Sequence, residues 1–278
     1  MVARTDVRAL HRARSGTGRR VSLADVDPDF TDGLSEKKSL KKLDKQHLKL
    51  FGLQDRLWAE RRHAVLICLQ AMDTGGKDGT VKHVMTGLNP MGIDVQAFKA
   101  PTPAEKRHHF LWRFKRVLPA PGHMEIFNRT HYEDVLVARV NKLASADTID
   151  RRYGEINRWE QQLQKAGITI LKFYLHISYE EQRRRLTERL LDPTKHWKFS
   201  ENDIDQRAYW HDYMNAYEIA LTRCSPASAP WYVIPANNKW YRDWAVAQIL
   251  RETLTELDPQ YPLVELDVDR LLERLKAD

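Results

Sequence analysis

Leu66-Ile67-Cys68-Leu69-Gln70-Ala71-Met72-Asp73-Thr74-Gly75-Gly76-Lys77-Asp78-Gly79-Thr80 is the stretch on which the fold turns. The apolar run from Val65 to Leu69 reads as a buried parallel strand. Thr74, Gly75 and Gly76 then precede Lys77, and Asp78 to Leu88 can be helical. A strand, a glycine loop and a helix start together build a phosphate cradle. Backbone N–H groups point inward, the helix dipole adds partial positive charge, and the lysine reaches the outer phosphates. Against the pattern G-x-x-x-x-G-K-[ST] the stretch departs twice. Ala71 stands at the first glycine, and Asp78 replaces the hydroxyl residue that would meet magnesium. Asp73, inside the loop, is an addition. Taken alone, the stretch also fits a glycine turn with Lys77 in solvent.

Working outward, strands alternate with helices. Ser35 to Arg62 is a long helix, with Leu40, Leu43, Leu50, Phe51, Leu57 and Trp58 at helical spacing among Lys37, Lys38, Lys41, Lys42 and Lys45. Ala64–Leu69 is the first strand and 78–88 its helix, closed by Gly87, Asn89 and Pro90. Strands are expected at Ile93–Phe98, Met124–Phe127, Ile168–Leu175 and Trp231–Ile234. Helices are expected at Pro103–Leu118, His131–Val140, Ile149–Ala166 and Tyr241–Leu257, and Ser178 with Glu181 forms a capping box for one more. The fold class is therefore α/β, a parallel five-stranded sheet flanked by helices, with ligands at the carboxyl ends of the strands. The glycine loop, Lys99 and Asn128-Arg129 all follow strands and converge there.

Two further clusters bear on chemistry. Asn128 stands where phosphate-loop enzymes commonly place a magnesium-holding carboxylate, and Arg129 after it can clamp a phosphate bidentately. An ion pair of Arg129 with Glu133 or Asp134 fits the residues equally well. The second cluster carries Arg183, Arg184, Arg185 and Arg189 on a helix, then Asp192-Pro193, then Lys195, His196, Trp197 and Lys198. An Arg-bearing helix after the fourth strand suits a lid, at about 179–205, that closes over phosphates and excludes water. His108 and His109 lack a metal-ligand neighbour at the right spacing.

The chain has 278 residues and a net charge of +7, with 42% hydrophobic and 30% charged residues. That describes a soluble globular protein with anionic partners. Two cysteines, Cys68 and Cys224, give no disulfide framework, so a cytoplasmic location is expected. No apolar run approaches the roughly 18 residues of a membrane span. Residues 1–34, with Arg4, Arg8, Arg12, Arg14, Arg19 and Arg20, lack an apolar signal core and read as a loosely ordered basic extension before one domain over 35–278.

With these pieces in place, six segments resemble the second polyphosphate kinase family, the polyphosphate:nucleotide phosphotransferases. They are AMDTGGKDGTVKHV, GIDVQAFKAPT, HMEIFNRTHYEDVLV, RRRLTERLLDPTKHWKFS, WHDYMNAYE and APWYVIPANNKWYRD, in family order between about Leu34 and Leu257. Lys77-Asp78 is then the normal reading of the loop. Asn128 with His131 and Glu133 is similar to the subgroup accepting AMP as well as ADP. The resemblance implies a phosphate-loop kinase of thymidylate-kinase-like form with an Arg-rich helical lid. It implies Mg²⁺, or Mn²⁺, as cofactor and catalytic roles for Asp73, Lys77 and Arg129. Gly75, Gly76, Asp78, Gly79, Thr80, Asn128, Glu133, Arg184, Arg189, Lys195 and Lys198 would hold nucleotide and phosphate. Lys77, Lys82, His83, Lys99 and Arg129 would hold polyphosphate, with Lys106 and Arg107 extending the basic path. Asp73 would be the metal ligand, with Asp192 a second candidate. The expected partners are inorganic polyphosphate and adenine nucleotides in a dimer or tetramer, without nucleic acid or membrane. An ATP-dependent nucleoside monophosphate kinase shares the fold, and a nucleic-acid binder shares the charge; donor choice and salt-sensitive DNA or RNA binding discriminate them.

Overall fold

The structure of the chain is a computed structural model describing residues 6–13 and 20–276. Expectations falling on 1–5, 14–19 and 277–278, including Arg4, Arg14 and Arg19, lie outside the described residues. In chain order the elements are α1 (Val7–His11), α2 (Glu36–Glu60), β1 (Ala64–Ala71), α3 (Lys77–Val84), β2 (Ile93–Ala97), α4 (Trp112–Lys115), β3 (Met124–Asn128), α5 (Val137–Val140), α6 (Ala146–Lys165), β4 (Ile168–His176), α7 (Tyr179–Leu191), α8 (Glu201–Asp205), α9 (Trp210–Arg223), β5 (Trp231–Pro235), α10 (Lys239–Leu257) and α11 (Val268–Lys276).

The five strands are all parallel, in the order β2-β3-β1-β4-β5. Every residue of β1 is buried, as expected of a central strand covered on both faces. Its side chains divide with period two. Val65, Ile67 and Leu69 meet α2 and α10 on one face, with Leu50, Leu57, Trp244 and Ile249. Leu66 and Cys68 meet Phe127, Ile170 and Trp159 of α6 on the other. Each wholly buried leucine contributes roughly 1.5–3 kcal/mol through the apolar area it removes from water. The chain runs from β1 outward to β2 and β3, then crosses to β4 and β5. The reversal opens a crevice beside the carboxyl end of β1, where such sheets bind ligands.

Three expectations need correction. Pro103–Leu118 is not one helix; it holds a 3-10 turn at Glu105–Arg107 and the single turn of α4. Side chains there compete for the backbone: the Glu105 carboxylate accepts from the Thr102 N–H, and Arg113 donates to the Lys99 carbonyl at 2.8 Å while lying over Phe98 and Phe114. His131–Val140 is likewise a 3-10 turn followed by α5, because the Thr130 hydroxyl takes the Tyr132 N–H and the buried Glu160 holds the His131 and Tyr132 side chains. The described part of 1–34 is firmly attached: the Ala13 N–H donates to the Trp231 carbonyl at 2.8 Å, and His11 bonds the Tyr241 hydroxyl at 2.9 Å.

Candidate active site at the strand ends

The loop after β1 is a tight turn shaped by backbone sterics. Gly75 N–H donates to the Met72 carbonyl, and Thr74 and Gly76 both have positive φ, 61° and 101°. Gly76 cannot be replaced cheaply, since a Cβ there would lie 1.9 Å from the Arg242 guanidinium. Gly75 is similarly confined, with a Cβ falling 2.5 Å from that of Ala71. α3 starts at Lys77 with Gly76 as N-cap and no side-chain cap, so its first N–H groups face the crevice without a side-chain partner from that cap.

Around this turn the expected catalytic groups converge. Lys77 curls back and donates to the Ala71 carbonyl at 3.1 Å. Burial lowers its pKa, opposed chiefly by the charge of Asp73. Arg129, at the end of β3, has φ 62°, an unusual conformation for a residue with a Cβ, and donates to Asp73 Oδ1 at 3.3 Å. Burial raises the pKa of Glu133, opposed by the charges of Arg129 and Lys77. Burial also raises that of Asp203, in α8, and the negative charge of Asp73 adds to it. The crevice thus holds Lys77 and Arg129 among three carboxylates, and all of them feel one another.

Asp78 joins two elements distant in sequence. Its Oδ1 accepts from Asn128 at 2.8 Å, and its Oδ2 accepts from Lys198 at 2.9 Å. The hydrogen bond from Lys198 is the largest cause holding the Asp78 carboxyl below its ordinary range. The segment expected to form a lid is therefore tied to the glycine loop through the residue that breaks the usual loop pattern.

The remaining expected residues divide. Gly79 packs 3.2 Å, measured from a would-be Cβ, from Arg242. The buried Thr80 hydroxyl donates to the Gly76 carbonyl and braces the helix start. Lys82, His83 and Lys99 lie on exposed surface near the loop and after β2, with His83 bonded to Asp243 at 2.8 Å. Arg184 is engaged by Glu181 and Glu188, and Arg189 by the Lys198 carbonyl and Asp203. The capping box at Ser178 is half formed: the serine accepts from the Glu181 N–H, whereas the Glu181 carboxylate turns to Arg184 and Arg185. Lys195 pairs with Asp192 at 2.7 Å, and the other oxygen of Asp192 accepts from Thr194.

Sequence reasoning missed the residues that hold the loop from behind. Arg185 donates to the carbonyls of Thr74, Ala236 and Asn237, and Gln182 donates to that of Asp73 at 3.1 Å. Arg242, wholly buried and paired with Asp243, backs Gly76 and Gly79. The available signal was a charged pair, Arg242-Asp243, set between aromatic residues and the apolar run that follows in α10.

A divalent cation held between phosphates takes one or two protein carboxylates and completes its shell from substrate and water. Among the described residues no three His, Cys, Asp or Glu side chains form a metal cluster. Asp73, a carboxylate on the loop paired with Arg129 through one oxygen, fits the smaller requirement. Asp192 fits less well, because both of its oxygens are engaged locally.

Residues 33–262 match the family described as polyphosphate kinase 2. An AMP/ADP-polyphosphate phosphotransferase of Meiothermus ruber is 47% identical over 91% of this chain and 96% of its own. An ADP-polyphosphate phosphotransferase of Rhodopseudomonas palustris is 40% identical over 90% and 91%. The crystal structure of polyphosphate kinase 2 from Arthrobacter aurescens superposes with a TM-score of 0.93 at 43% identity, covering 98% of this chain and 97% of that one.

Proposed function

The chain belongs to the polyphosphate kinase 2 family and phosphorylates AMP and ADP from inorganic polyphosphate, and we propose that Asp73, Lys77 and Arg129 carry the transfer with Mg²⁺ as companion cation. Mn²⁺ is the expected substitute. The observation that carries this reading is the Asp73–Arg129 pair beside Lys77, on a loop whose backbone is clamped from behind by Arg185, Gln182 and Arg242. Phosphoryl transfer asks a protein for alignment and charge neutralisation, with little covalent chemistry. A rigid loop with two cations and one accessible carboxylate supplies both.

When bound, Mg²⁺ would supply neutralisation of phosphate charge, and Asp73 would hold it. Lys77 and Arg129 balance the charge that develops on the transferring group. The attacking nucleotide phosphate is already ionised at neutral pH, so Asp73 orients and positions and no strong base is required. Arg129 leaves Asp73 for substrate phosphate as the site fills. Gly75, Gly76, Gly79 and the α3 N-terminus cradle phosphate, with Asn128, Asp78 and Glu133 shaping the acceptor side. Lys82, His83 and Lys99 give polyphosphate a basic path. The segment 179–205 acts as a lid, latched in the present state by Lys198 on Asp78; Arg184, Arg189 and Lys195, held here by acidic groups and a carbonyl of the segment itself, exchange those partners for phosphates as it closes. By microscopic reversibility the enzyme also runs from nucleotide to polyphosphate.

We further propose a homo-oligomer, a dimer or tetramer, working in the cytoplasm without nucleic acid or membrane. Among the described residues no helix is long and apolar enough to cross a membrane, and both cysteines are buried as free thiols. A kinase that takes ATP as donor is disfavoured by the relatives and by Asp78, whose carboxylate occupies the place of the magnesium hydroxyl. The test is a panel of polyphosphate or ATP against AMP or ADP with Mg²⁺, products followed by chromatography. Polyphosphate should yield ADP from AMP and ATP from ADP, and Asp73→Ala should not. Turnover of AMP with ATP alone, or an Asp73→Ala protein equal to the parent, sinks the assignment.

A further inference from the structure

Beyond Leu257 the chain leaves the sheet as an arm. Its root lies along α2: Arg56 donates to the Pro259 carbonyl, Gln260 N–H donates to Glu60, and the Tyr261 hydroxyl donates to Asp55 at 2.6 Å. Past Tyr261 no described residue of the arm is buried, and Leu263 is 101% exposed. α11 nevertheless carries a clean apolar stripe, Val268, Leu271, Leu272 and Leu275, with Leu275 74% exposed. Its other side holds Asp269, Arg270, Glu273 and Arg274. A nine-residue helix with three of its four apolar side chains exposed and Leu271 only half-buried is marginal in water, where isolated helices need about 12–15 residues. Something must cover it.

A matching surface lies on α2. Leu40, Leu48 and Phe51 protrude from one side of that helix, Leu48 at 78% exposure. A cavity of about 410 Å³ sits beside them, bounded by Leu48, Lys49, Leu53, Arg56 and Thr255. Lys37, Lys41 and Lys45 flank the stripe, all exposed. The arm brings the opposite sign just before and at the start of its helix, in Glu265, Asp267 and Asp269. The acidic start of the arm, Glu265 to Asp269, thus matches in sign the lysine-rich first half of α2, Arg270, Arg274 and Lys276 follow it, and both segments belong to one chain.

We propose that α11 of one copy lies on the Leu40–Phe51 side of α2 of a second copy, with its leucines over Leu48 and Phe51 and its acidic residues among the lysines. About six residues of extended chain, 262–267, span roughly 20 Å, enough to carry the helix off its own domain. The exchange is self-complementary: each copy gives an arm and receives one, so a two-fold closes and no apolar surface is left to propagate. This rests on the homo-oligomer reading and gives it a surface. It is independent of the catalytic assignment.

The test uses the full chain, by light scattering after size exclusion and by sedimentation over a range of concentrations. The parent should be a dimer or a multiple of one. Leu272→Glu/Leu275→Glu on the arm and, separately, Leu48→Glu on the receiving helix should each weaken association by about a hundredfold, as placing charge in the centre of an apolar interface does. Unfolding curves show that the variants are folded, which is expected because none of these side chains is buried in the monomer. Mixing a Leu48→Cys chain with a Leu275→Cys chain should give a disulfide-linked pair under mild oxidation, since both native cysteines are buried. A parent that stays monomeric overturns the oligomer and the arm together. Variants that stay dimeric, with no cross-link in the mixed pair, leave the oligomer standing and overturn the arm.

Discussion

Two lysine–carboxylate assemblies lie on either side of the turn after β3, and they differ in saturation. Behind the turn, Lys172 of β4 donates to Glu160 of α6 at 2.5 Å, to the Tyr132 hydroxyl at 3.0 Å and to the Cys224 carbonyl at 2.7 Å. Glu160 also takes His131 at 3.0 Å and the Tyr132 hydroxyl at 2.7 Å. All four side chains are buried. In front of the turn, Lys77 has one backbone carbonyl, and Asp73 meets Arg129 at a long 3.3 Å. Each sets a lysine near a carboxylate. In the first assembly every donor of the ammonium is used, so it can only hold structure. In the second, the charges are brought together with hydrogen-bonding capacity left over, which is what an incoming anion and cation require. Arg129 and Thr130 link the two: the closed cluster begins at His131, two residues beyond the positive-φ backbone of Arg129 in the open one.

The largest effect should come from the closed assembly. Lys172→Met leaves a buried carboxylate without its cation and should cost about 3–5 kcal/mol of stability, read in denaturant unfolding. The double substitution with Glu160→Leu should recover much of that. If the single variant unfolds at the parent's midpoint, the pair is not the structural unit described. In the open assembly the expectation is inverted. Asp73→Ala should lower kcat by on the order of 10²–10³-fold, with a change in stability of no more than about 0.5 kcal/mol. A large loss of stability with normal turnover would reverse the two assignments.

A smaller effect sharpens the boundary. Lys198→Ala removes a half-exposed bond to Asp78, and should cost no more than about 1 kcal/mol in folding while raising KM for polyphosphate or nucleotide. The same bond depends on pH. Asp78 is depressed in the folded state, so its contribution is present above the ordinary carboxylate range and is lost as pH falls through the depressed value. A last effect, spread over several pH units, lies away from both assemblies. Glu125 of β3, opposite Asp94 in the neighbouring strand, is pushed up to about 8 by burial, with the Asp94 charge adding to it. It is protonated in the folded protein at neutral pH and ionised in the unfolded one. Stability should therefore fall as pH rises from about 5 to 8, by up to about 1.4 kcal/mol per pH unit, and Glu125→Gln should flatten that slope. A parent whose midpoint does not move across this window refutes the buried carboxyl.

The parts of the site that could be read in advance are those set by local chain chemistry. Asp73, Lys77, Asn128 and Arg129 each follow a strand whose apolar run is plain, so their convergence follows from the parallel sheet. Arg185 and Arg242 could not be read. An arginine on a helix serves a solvated face, a ligand or a buried carbonyl depending on what lies against it, and the neighbours here, Thr74, Ala236 and Gly76, are far away in sequence. The run of arginines at 183–185 illustrates the point. Adjacent residues in one helix, Arg184 stays at the surface with Glu181 and Glu188, while Arg185 turns inward and rivets the loop.

By itself the sequence determined the α/β class, the strand positions and the identity of the phosphate loop, because apolar runs, glycines and a lysine act through neighbours a few residues away. It also carried the family, through six segments in order. Only the tertiary structure decided which charges are spent on structure and which remain open. It broke the expected helix at 103–118, because Arg113 and Glu105 bond the backbone there, and it tied Asp78 to Lys198 across 120 residues. The reason is physical: the worth of a charge is set by burial and by its partners, and both are fixed only when distant segments meet.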